Sequence, residues 1–407
     1  MRIVYVDNNA TTRIAPEVYQ AMVPFLTGDY FNPSSMYEPA QATKKAVDGA
    51  RREIARHFGN VDPSEILFTS CATESNNTAI QGTAKANPSR RHVITTAVEH
   101  PAVLEVCREL KRSGYDVTFL GIDGDGNLDV SEFIRALRPD TLMVTVMHAN
   151  NETGVVFPIE QLARLTKETD PSIVFHTDAT QSVGKIPIDL AGEYRHVDLL
   201  SFSGHKLHAP KGVGALFVRK GTPCRAFMVG GHQEDGRRAG TENVPYIVGL
   251  AKALSLCMEN HQEEEARIRR LRNRLEKALM ERIPYIQVNC RNAPRLPNTS
   301  NVSCHYIEGE SMLFELSREG ICASSGSACT TGSLEPSHVL LALKVPFTAV
   351  HGSIRFSLGR YNTEADVDRI LEVFPEVVAS LRVISPYWDE KTNSPVSDVE
   401  ERLGKHH

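Results

Sequence analysis

Strand-like and helix-like segments alternate along the chain from residue 92 onward, and this alternation restricts the fold more than any other feature of the sequence. The alternating segments are 92–98, 101–114, 116–123, 131–137, 141–149, 159–168 and 172–179. Several of the strand-like runs are apolar at both odd and even positions, which is typical of parallel strands covered by helices on both faces. The pattern predicts an α/β core. The runs 198–203 and 212–218 are too close together for a helical crossover, so we expect an antiparallel pair there.

Two helical patterns organise the remainder of the chain. Residues 259–282 carry one apolar stripe amid dense charge, which predicts a long helix connecting two domains. Thr363 begins a second helix with one apolar face. A chain of 407 residues is long enough for a large α/β domain and a smaller α+β domain. The predicted boundaries are 14–258 for the large domain, 1–13 together with 259–385 for the small domain, and 386–407 for a polar surface tail.

The charge balance and the cysteine pattern exclude several classes of protein. The 45 Lys and Arg residues are outnumbered by 50 Asp and Glu residues and form no long cluster, so we expect no nucleic acid and no membrane among the partners. The eight cysteines are too sparse for a disulfide framework, and none of them forms a CxxC pair. Because no signal peptide or long apolar run is apparent, we expect a cytoplasmic enzyme.

Two patterns that imitate metal sites are interpreted as structural. The segment 123–127 begins like a calcium loop, but it lacks the later Gly and Glu that such a loop requires, so we expect a turn. Cys304 with His305, and His205 with His208, have no partner pair at a recognised ligand spacing. We therefore expect no resident metal.

A lysine, an aspartate and a turn of small residues occur where an α/β sheet binds ligands. Lys206 follows a strand-like run, and ligands collect at the carboxyl ends of strands in open α/β sheets, so its amine is a candidate for bonding to a carbonyl cofactor. Asp178 ends another strand-like run, and such a carboxylate can hold the pyridine nitrogen of pyridoxal phosphate protonated. The turn 70–77 precedes a predicted helix whose free N–H groups could bind phosphate, although an ordinary helix cap explains its Ser and Thr equally well.

These residues lie within ten short segments that follow the order found in a known enzyme family. The segments are 5–12, 32–35, 72–77, 99–100, 149–154, 178–181, 203–206, 236–241, 324–329 and 355–360. With them, the chain resembles the cysteine desulfurases of the NifS/IscS type over nearly its whole length. The resemblance implies a fold-type I pyridoxal phosphate enzyme whose large domain has a mostly parallel seven-stranded sheet. It also implies that the chain removes sulfur from L-cysteine and releases L-alanine.

The resemblance further implies a role for each residue of the cofactor site. The implied cofactor contacts are Lys206 at the aldehyde, Asp178 at the pyridine nitrogen, His100 on the ring, Asn151 and Gln181 at the phenolic oxygen, and Ala72, Thr73, Ser203 and His205 at the phosphate. Lys206, His100 and Cys329 would be catalytic. Thr241 matches a residue that completes the phosphate site of a second subunit, so the resemblance implies a homodimer. Arg355 and Asn32 match substrate-binding positions, and the guanidinium fork of Arg355 suits a carboxylate.

Cys329 is the predicted nucleophile. It lies in a run of small polar residues that cannot pack a core, so we expect an exposed thiol on a mobile loop at about 324–335. The resemblance implies that Cys329 takes the sulfur as a persulfide and passes it to an iron–sulfur scaffold protein. The only metal contact expected is a transient one between Cys329 and an iron–sulfur centre.

Four residues depart from the family pattern, and three other functions remain open. Phe31 and Cys71 replace glycine, Tyr37 replaces histidine, and Asp235 stands where a basic or apolar residue is usual. A selenocysteine lyase or an aminotransferase would share Lys206 and Asp178. A sulfur carrier with a vestigial catalytic site is the third alternative.

Overall fold

The computed structural model describes residues 2–325 and 336–397 as a series of strands and helices. The strands are β1 (Val4–Tyr5), β2 (Ile66–Thr69), β3 (His92–Thr96), β4 (Asp116–Leu120), β5 (Thr141–Thr145), β6 (Val174–Asp178), β7 (Leu199–Ser203), β8 (Gly214–Val218), β9 (Ile286–Val288), β10 (Thr299–Cys304), β11 (Ile321–Cys322), β12 (Ser353–Ser357), β13 (Trp388–Asp389) and β14 (Ser394–Pro395). The helices are α1 (Pro16–Thr27), α2 (Glu38–His57), α3 (Ala72–Ala86), α4 (Pro101–Arg112), α5 (Val130–Ala136), α6 (Ile159–Thr169), α7 (Val244–Met258), α8 (His261–Arg282), α9 (Gly309–Arg318), α10 (His338–Ala342), α11 (Phe347–Val350) and α12 (Glu364–Val383). Short 3-10 helices occupy Pro63–Glu65, Gly204–Lys206 and Gln233–Gly236.

The central sheet has seven strands in the order β2-β8-β7-β6-β5-β3-β4. Strands β3 to β7 run parallel, whereas β8 is antiparallel to both β2 and β7. The predicted antiparallel pair is therefore confirmed, and so is the mostly parallel seven-stranded sheet. The result is an α/β fold.

Helices cover both faces of this sheet, which explains why its strands are apolar at consecutive positions. In β5, Met143 packs into one buried cluster and Val144 into another on the opposite face. In β6, Val174 and Phe175 divide between the same two clusters. A strand buried on both faces must be apolar at both parities, as the sequence of this region predicted.

A second, smaller body forms around helices α8, α9 and α12. Its sheet has the antiparallel order β12-β10-β9, and strand β1 near the N-terminus pairs in parallel with β11. One apolar cluster joins these elements, with Ile268 and Leu275 from α8 packing beside Phe374 of α12. The predicted residue boundaries between the two domains stay a prediction.

After α12 the chain forms a short hairpin with one buried aromatic side chain. Strands β13 and β14 form a hairpin, and Trp388 is buried against the ring of Tyr285 and under the guanidinium of Arg382, 4.3 Å from the ring centre. Residues 398–407 lie outside the described residues. Within the described residues, no helix is both long and apolar enough to span a membrane.

Candidate active site

A cavity of about 300 Å³ lies at the carboxyl ends of β6 and β7. Ten of the predicted site residues line it: Ala72, Thr73, His100, Asn151, Asp178, Gln181, Ser203, His205, Lys206 and Arg355. These residues come from separate parts of the chain and meet because parallel strands end at the same edge of the sheet. The cavity is therefore the candidate active site.

Asp178 forms the acidic end of the cavity. It is the last residue of β6 and is nearly fully buried. Its Oδ2 accepts a hydrogen bond from Asn76 Nδ2 at 2.7 Å, and its Oδ1 accepts one from the backbone N–H of Thr180 at 2.9 Å. These two donors fix the carboxylate in place. Asn76, on α3, lies within a segment that matched the family but was given no role by the sequence.

Lys206 extends from the short 3-10 helix that directly follows β7. Its Nζ donates to the backbone carbonyls of Asn9 at 2.6 Å and Ala10 at 2.7 Å. The turn that follows β1 thus supplies acceptors for the amine. Asn9 also donates from Nδ2 to the carbonyl of Asn151 at 3.1 Å, so one residue of the turn contacts two predicted site residues.

The part of the cavity that lies at the start of α3 fits a phosphate group. Helix α3 begins at Ala72 with Cys71 as its N-cap residue, so the free N–H groups of the first turn open toward the cavity. The hydroxyl of Ser203, which also lines the cavity, is buried without a hydrogen-bond partner among the described residues. Buried hydroxyls normally have partners, and phosphate oxygens would supply them. The donors present therefore match a phosphorylated cofactor.

Cys71 does not obstruct this helix terminus. Its φ is -174°, an extended conformation that any residue adopts, so glycine is not required at this position. Space for the Cys71 backbone is left by the adjacent strand β8, which begins with Gly214. A Cβ atom at that position would lie 3.0 Å from the Cα of Cys71. The other departures lie away from the cavity. Phe31 stacks on Tyr30 with ring centres 4.8 Å apart, and the Asp235 side chain is exposed.

His100 presents a neutral imidazole to the cavity. It is the N-cap residue of α4, and its Nδ1 accepts a hydrogen bond from the backbone N–H of Ala102 at 3.1 Å. Burial lowers the pKa of His100. A neutral ring whose Nδ1 accepts must carry its proton on Nε2. His100 therefore offers one N–H donor to a bound ring or substrate.

Arg355 lies on β12 and is almost completely buried at the wall of the cavity. Its Nη2 forms an ion pair with Asp7 Oδ1 at 2.6 Å, and its Nη1 donates to the Asn151 carbonyl at 3.0 Å. The Nε of Arg355 is buried and has no partner among the described residues. A carboxylate would satisfy this donor. The sequence had not assigned a role to Asp7, although it lies in a matched segment.

Gln181 is held at both ends of its side-chain amide. Its Nε2 donates to the Asn9 carbonyl at 3.0 Å, and its Oε1 accepts from Lys185 Nζ at 3.2 Å. His205 borders the same region, where its Nδ1 lies 3.2 Å from Thr11 Oγ1. Burial lowers the pKa of His205 to about 4, so this ring is neutral near pH 7.

Two of the predicted site residues do not line this cavity. Thr241 lines a separate cavity beside Arg238 and Glu242. Asn32 lies in an exposed turn, where its side chain accepts a hydrogen bond from the backbone N–H of Ser34. Cys329 lies outside the described residues.

The cavity fits pyridoxal phosphate by its donor set. A carboxylate, a lysine amine, a neutral imidazole and a helix N-terminus beside a hydroxyl that has no partner among the described residues surround one space, and each matches a different part of that molecule. Among the described residues, no cluster of three or more His, Cys, Asp or Glu side chains could hold a metal ion.

Comparison with known proteins agrees with this geometry. Residues 4–370 match the family model for aminotransferase class-V. The chain is 53% identical over 391 residues to a cysteine desulfurase of Trichormus azollae, with 96% of each chain covered. It is 50% identical over 398 residues to the cysteine desulfurase NifS of Azotobacter vinelandii, with 98% of each covered. A solved NifS-like protein superposes with a TM-score of 0.87 at 38% identity, covering 93% of this chain and all of the other.

The family model and the two relatives each cover most of the chain, and the cavity supplies the groups that the family's cofactor requires. That cofactor is pyridoxal phosphate. The chain belongs to the aminotransferase class-V family and, within it, to the cysteine desulfurases of the NifS type.

Proposed function

We propose that the chain is a cysteine desulfurase that converts L-cysteine to L-alanine and leaves the sulfur as a persulfide on Cys329. The observation that carries this proposal is the common cavity of Lys206, Asp178 and Arg355. Lys206 and Asp178 match the reactive ends of pyridoxal phosphate, while Arg355 matches the carboxylate of an amino acid.

Arg355 would orient the substrate. Its buried guanidinium is held on one side by Asp7 and on another by the Asn151 carbonyl, so its direction is fixed before substrate arrives. The unpartnered Nε offers a charge-assisted hydrogen bond to the substrate carboxylate. This contact would direct the α-carbon of the substrate toward Lys206.

Lys206 would move the α-proton. Pyridoxal phosphate, when bound, withdraws electrons from the substrate's α-carbon and so makes its proton acidic. The Lys206 amine, once exchanged for the amino group of the substrate, can accept that proton as a general base. Asp178, held by Asn76 and the Thr180 N–H, would pair with the pyridine nitrogen, and His100 would donate from Nε2.

Cys329 would then attack the substrate sulfur as a thiolate. A bond forms between the two sulfur atoms as the Cβ–Sγ bond of the substrate breaks, and the electron pair of that bond remains on carbon. The carbon takes up a proton and becomes the methyl group of alanine. Ser324 and Ser325, the last described residues before the segment that holds Cys329, line the cavity, which supports access of this segment to the substrate.

The partners of this reaction are part of the proposal. The persulfide would pass to an iron–sulfur scaffold protein. Thr241, which lines a separate cavity in its own subunit, would complete the phosphate site of a second subunit in a homodimer. The seven cysteines among the described residues are all free thiols, which supports action in the reducing cytoplasm.

The experiment that tests the proposal compares Cys329→Ala with Cys322→Ala in the enzyme loaded with pyridoxal phosphate. Cys322 lies on β11 in the same region of the chain, so its substitution is the matched control. Both variants should bind the cofactor and change its visible spectrum when L-cysteine is added. Only Cys329→Ala should lose the formation of alanine and sulfide. A Cys329→Ala enzyme that works at the parent rate would overturn the proposal and favour a lyase that needs no protein thiol.

A further inference from the structure

Lys185 determines which way the side-chain amide of Gln181 faces. Its Nζ donates to the backbone carbonyl of Gln181 at 2.9 Å and to the side-chain Oε1 at 3.2 Å. The amide nitrogen therefore faces the other way, where Nε2 donates to the Asn9 carbonyl and borders the cavity. If the amide were turned over, its NH₂ group would face an ammonium and its oxygen would face a carbonyl, so both contacts would be lost.

The environment of Lys185 is unusual for a lysine. No ion pair within the described ranges 2–325 and 336–397 includes it, and the charged groups near its side chain include Lys206 and Arg355, which are of like sign. Burial lowers the pKa of Lys185 to about 7. A lysine placed without a carboxylate partner costs stability. Both of its hydrogen bonds go to Gln181, so Gln181 is the residue that Lys185 can orient.

We propose that Lys185 is a positioning residue that holds the Gln181 amide with an N–H directed at the ring oxygen of pyridoxal phosphate. Nε2 has two hydrogens, and only one is used by the Asn9 carbonyl. The second remains for the cofactor. This role rests on the proposed function, which requires bound pyridoxal phosphate. It also requires that Gln181 contact the phenolic oxygen of that cofactor, as the family resemblance implies.

The expected consequence is spectroscopic. A donor to the ring oxygen stabilises its ionised form, and the pH at which the bound cofactor changes its visible absorbance depends on that ionisation. Without Lys185 only the Asn9 carbonyl holds the amide, so the amide turns its oxygen toward the ring more readily, which disfavours the ionised form. The midpoint of the spectral titration should therefore rise in Lys185→Met by about one pH unit, as expected for a lost hydrogen bond to a charged group.

The test is a pH titration of the visible spectrum of the enzyme loaded with pyridoxal phosphate, without substrate. Lys185→Arg keeps a charged donor and should retain the parent midpoint. Lys167→Met is the matched control, because Lys167 is a partly buried lysine that also donates to backbone carbonyls but does not contact Gln181. The titration midpoint of Lys167→Met should equal that of the parent. If Lys185→Met is not recovered in folded form, Lys185→Leu takes its place with the same expected rise.

A double variant separates action through Gln181 from a direct effect of charge. If Lys185 acts through Gln181, then Lys185→Met should add almost no shift in a Gln181→Met background. Equal shifts in both backgrounds, or an unchanged midpoint in Lys185→Met alone, would overturn the inference. A parent protein that takes up no pyridoxal phosphate would instead contradict the proposed function, so the two failures are distinguishable.

Discussion

Arg355 and Asp7 form a nearly buried ion pair beside the substrate position. Asp7 Oδ1 accepts from Nη2 of Arg355, and the guanidinium is only 5% exposed. The carboxylate therefore both aligns the guanidinium and cancels part of its charge. In the proposed function a substrate carboxylate would share this guanidinium with Asp7, so the pair would set the affinity for the substrate as well as its orientation.

Asp7→Asn should lower the KM for L-cysteine by about three- to tenfold. Asparagine keeps an oxygen that accepts from Nη2 but removes the negative charge, so more of the positive charge of Arg355 is available to the substrate. Steady-state kinetics measures the effect. Arg355→Lys is the control, and its KM should rise about tenfold or more because an ammonium lacks the fork. A rise of KM in Asp7→Asn would mean that the charge of Asp7 is needed to hold Arg355.

Sequence alone could identify those site residues whose position is set by their own strand. Lys206 and Asp178 each follow a strand-like run, and that local pattern placed them at the edge of the sheet. Asp7 is 348 residues away from Arg355 in the chain, and no local pattern marks such a pair. Asn76 was missed for the same reason, because its partner Asp178 is 102 residues away. Lys185 contacts a residue only four positions away, but no local pattern distinguishes it from a surface lysine.

The elements at the C-terminus differ in how well the sequence predicts them. Helix α12 begins after Thr363 as expected, with a capping box in which Thr363 and Asp366 exchange hydrogen bonds. The hairpin of β13 and β14 was not predicted, because each strand has only two residues and most of the residues around Trp388 are polar. Burial of one aromatic ring under Arg382 attaches this hairpin to the smaller body.

The fluorescence of the protein should report on this hairpin alone. Trp388 is the single tryptophan of the chain, and its ring packs on Tyr285, Tyr306 and Arg382. A two-stranded hairpin near a chain end has little stability of its own, so it should open before the main fold. In urea, the emission of the cofactor-free protein should shift to longer wavelength at a lower concentration than the loss of far-ultraviolet circular dichroism. Coincident transitions would mean that the hairpin unfolds with the whole molecule.

Buried neutral histidines should make the whole molecule sensitive to acid. Burial lowers the pKa of His148 and of His176 to about 4, whereas both titrate near 6.5 when unfolded. Between these values the unfolded chain binds more protons, so their contribution to stability is present above about pH 6.5 and is lost as the pH falls toward 4. The limiting slope is about 1.4 kcal/mol per pH unit for each histidine.

Urea unfolding of the cofactor-free protein from about pH 4 to 8 measures this dependence. His148→Gln should remove the slope of one histidine, because glutamine does not titrate. Glu99 and Glu152 act in the opposite sense, since burial raises the pKa of Glu99 to about 8 and that of Glu152 to about 7. The difference between His148→Gln and the parent isolates the histidine. A difference that does not change with pH would contradict the account.

At the scale of the molecule, the alternation of strand-like and helix-like runs predicted the α/β core. The short connection between the runs 198–203 and 212–218 predicted the antiparallel β7–β8 pair. Strands buried on both faces carry a strong local signal. The assembly of the smaller body is different, because β1 reaches β11 across more than 300 residues and two-residue strands have no periodicity.

The central claim is that the sulfur of L-cysteine passes to one cysteine of this chain. Intact mass spectrometry after incubation of the pyridoxal phosphate enzyme with L-cysteine, followed by peptide mapping, tests it most directly. The account predicts the addition of a single sulfur atom, located on Cys329 and absent from Cys329→Ala. An unchanged mass in an enzyme that releases alanine, or a sulfur located on another cysteine, would contradict it.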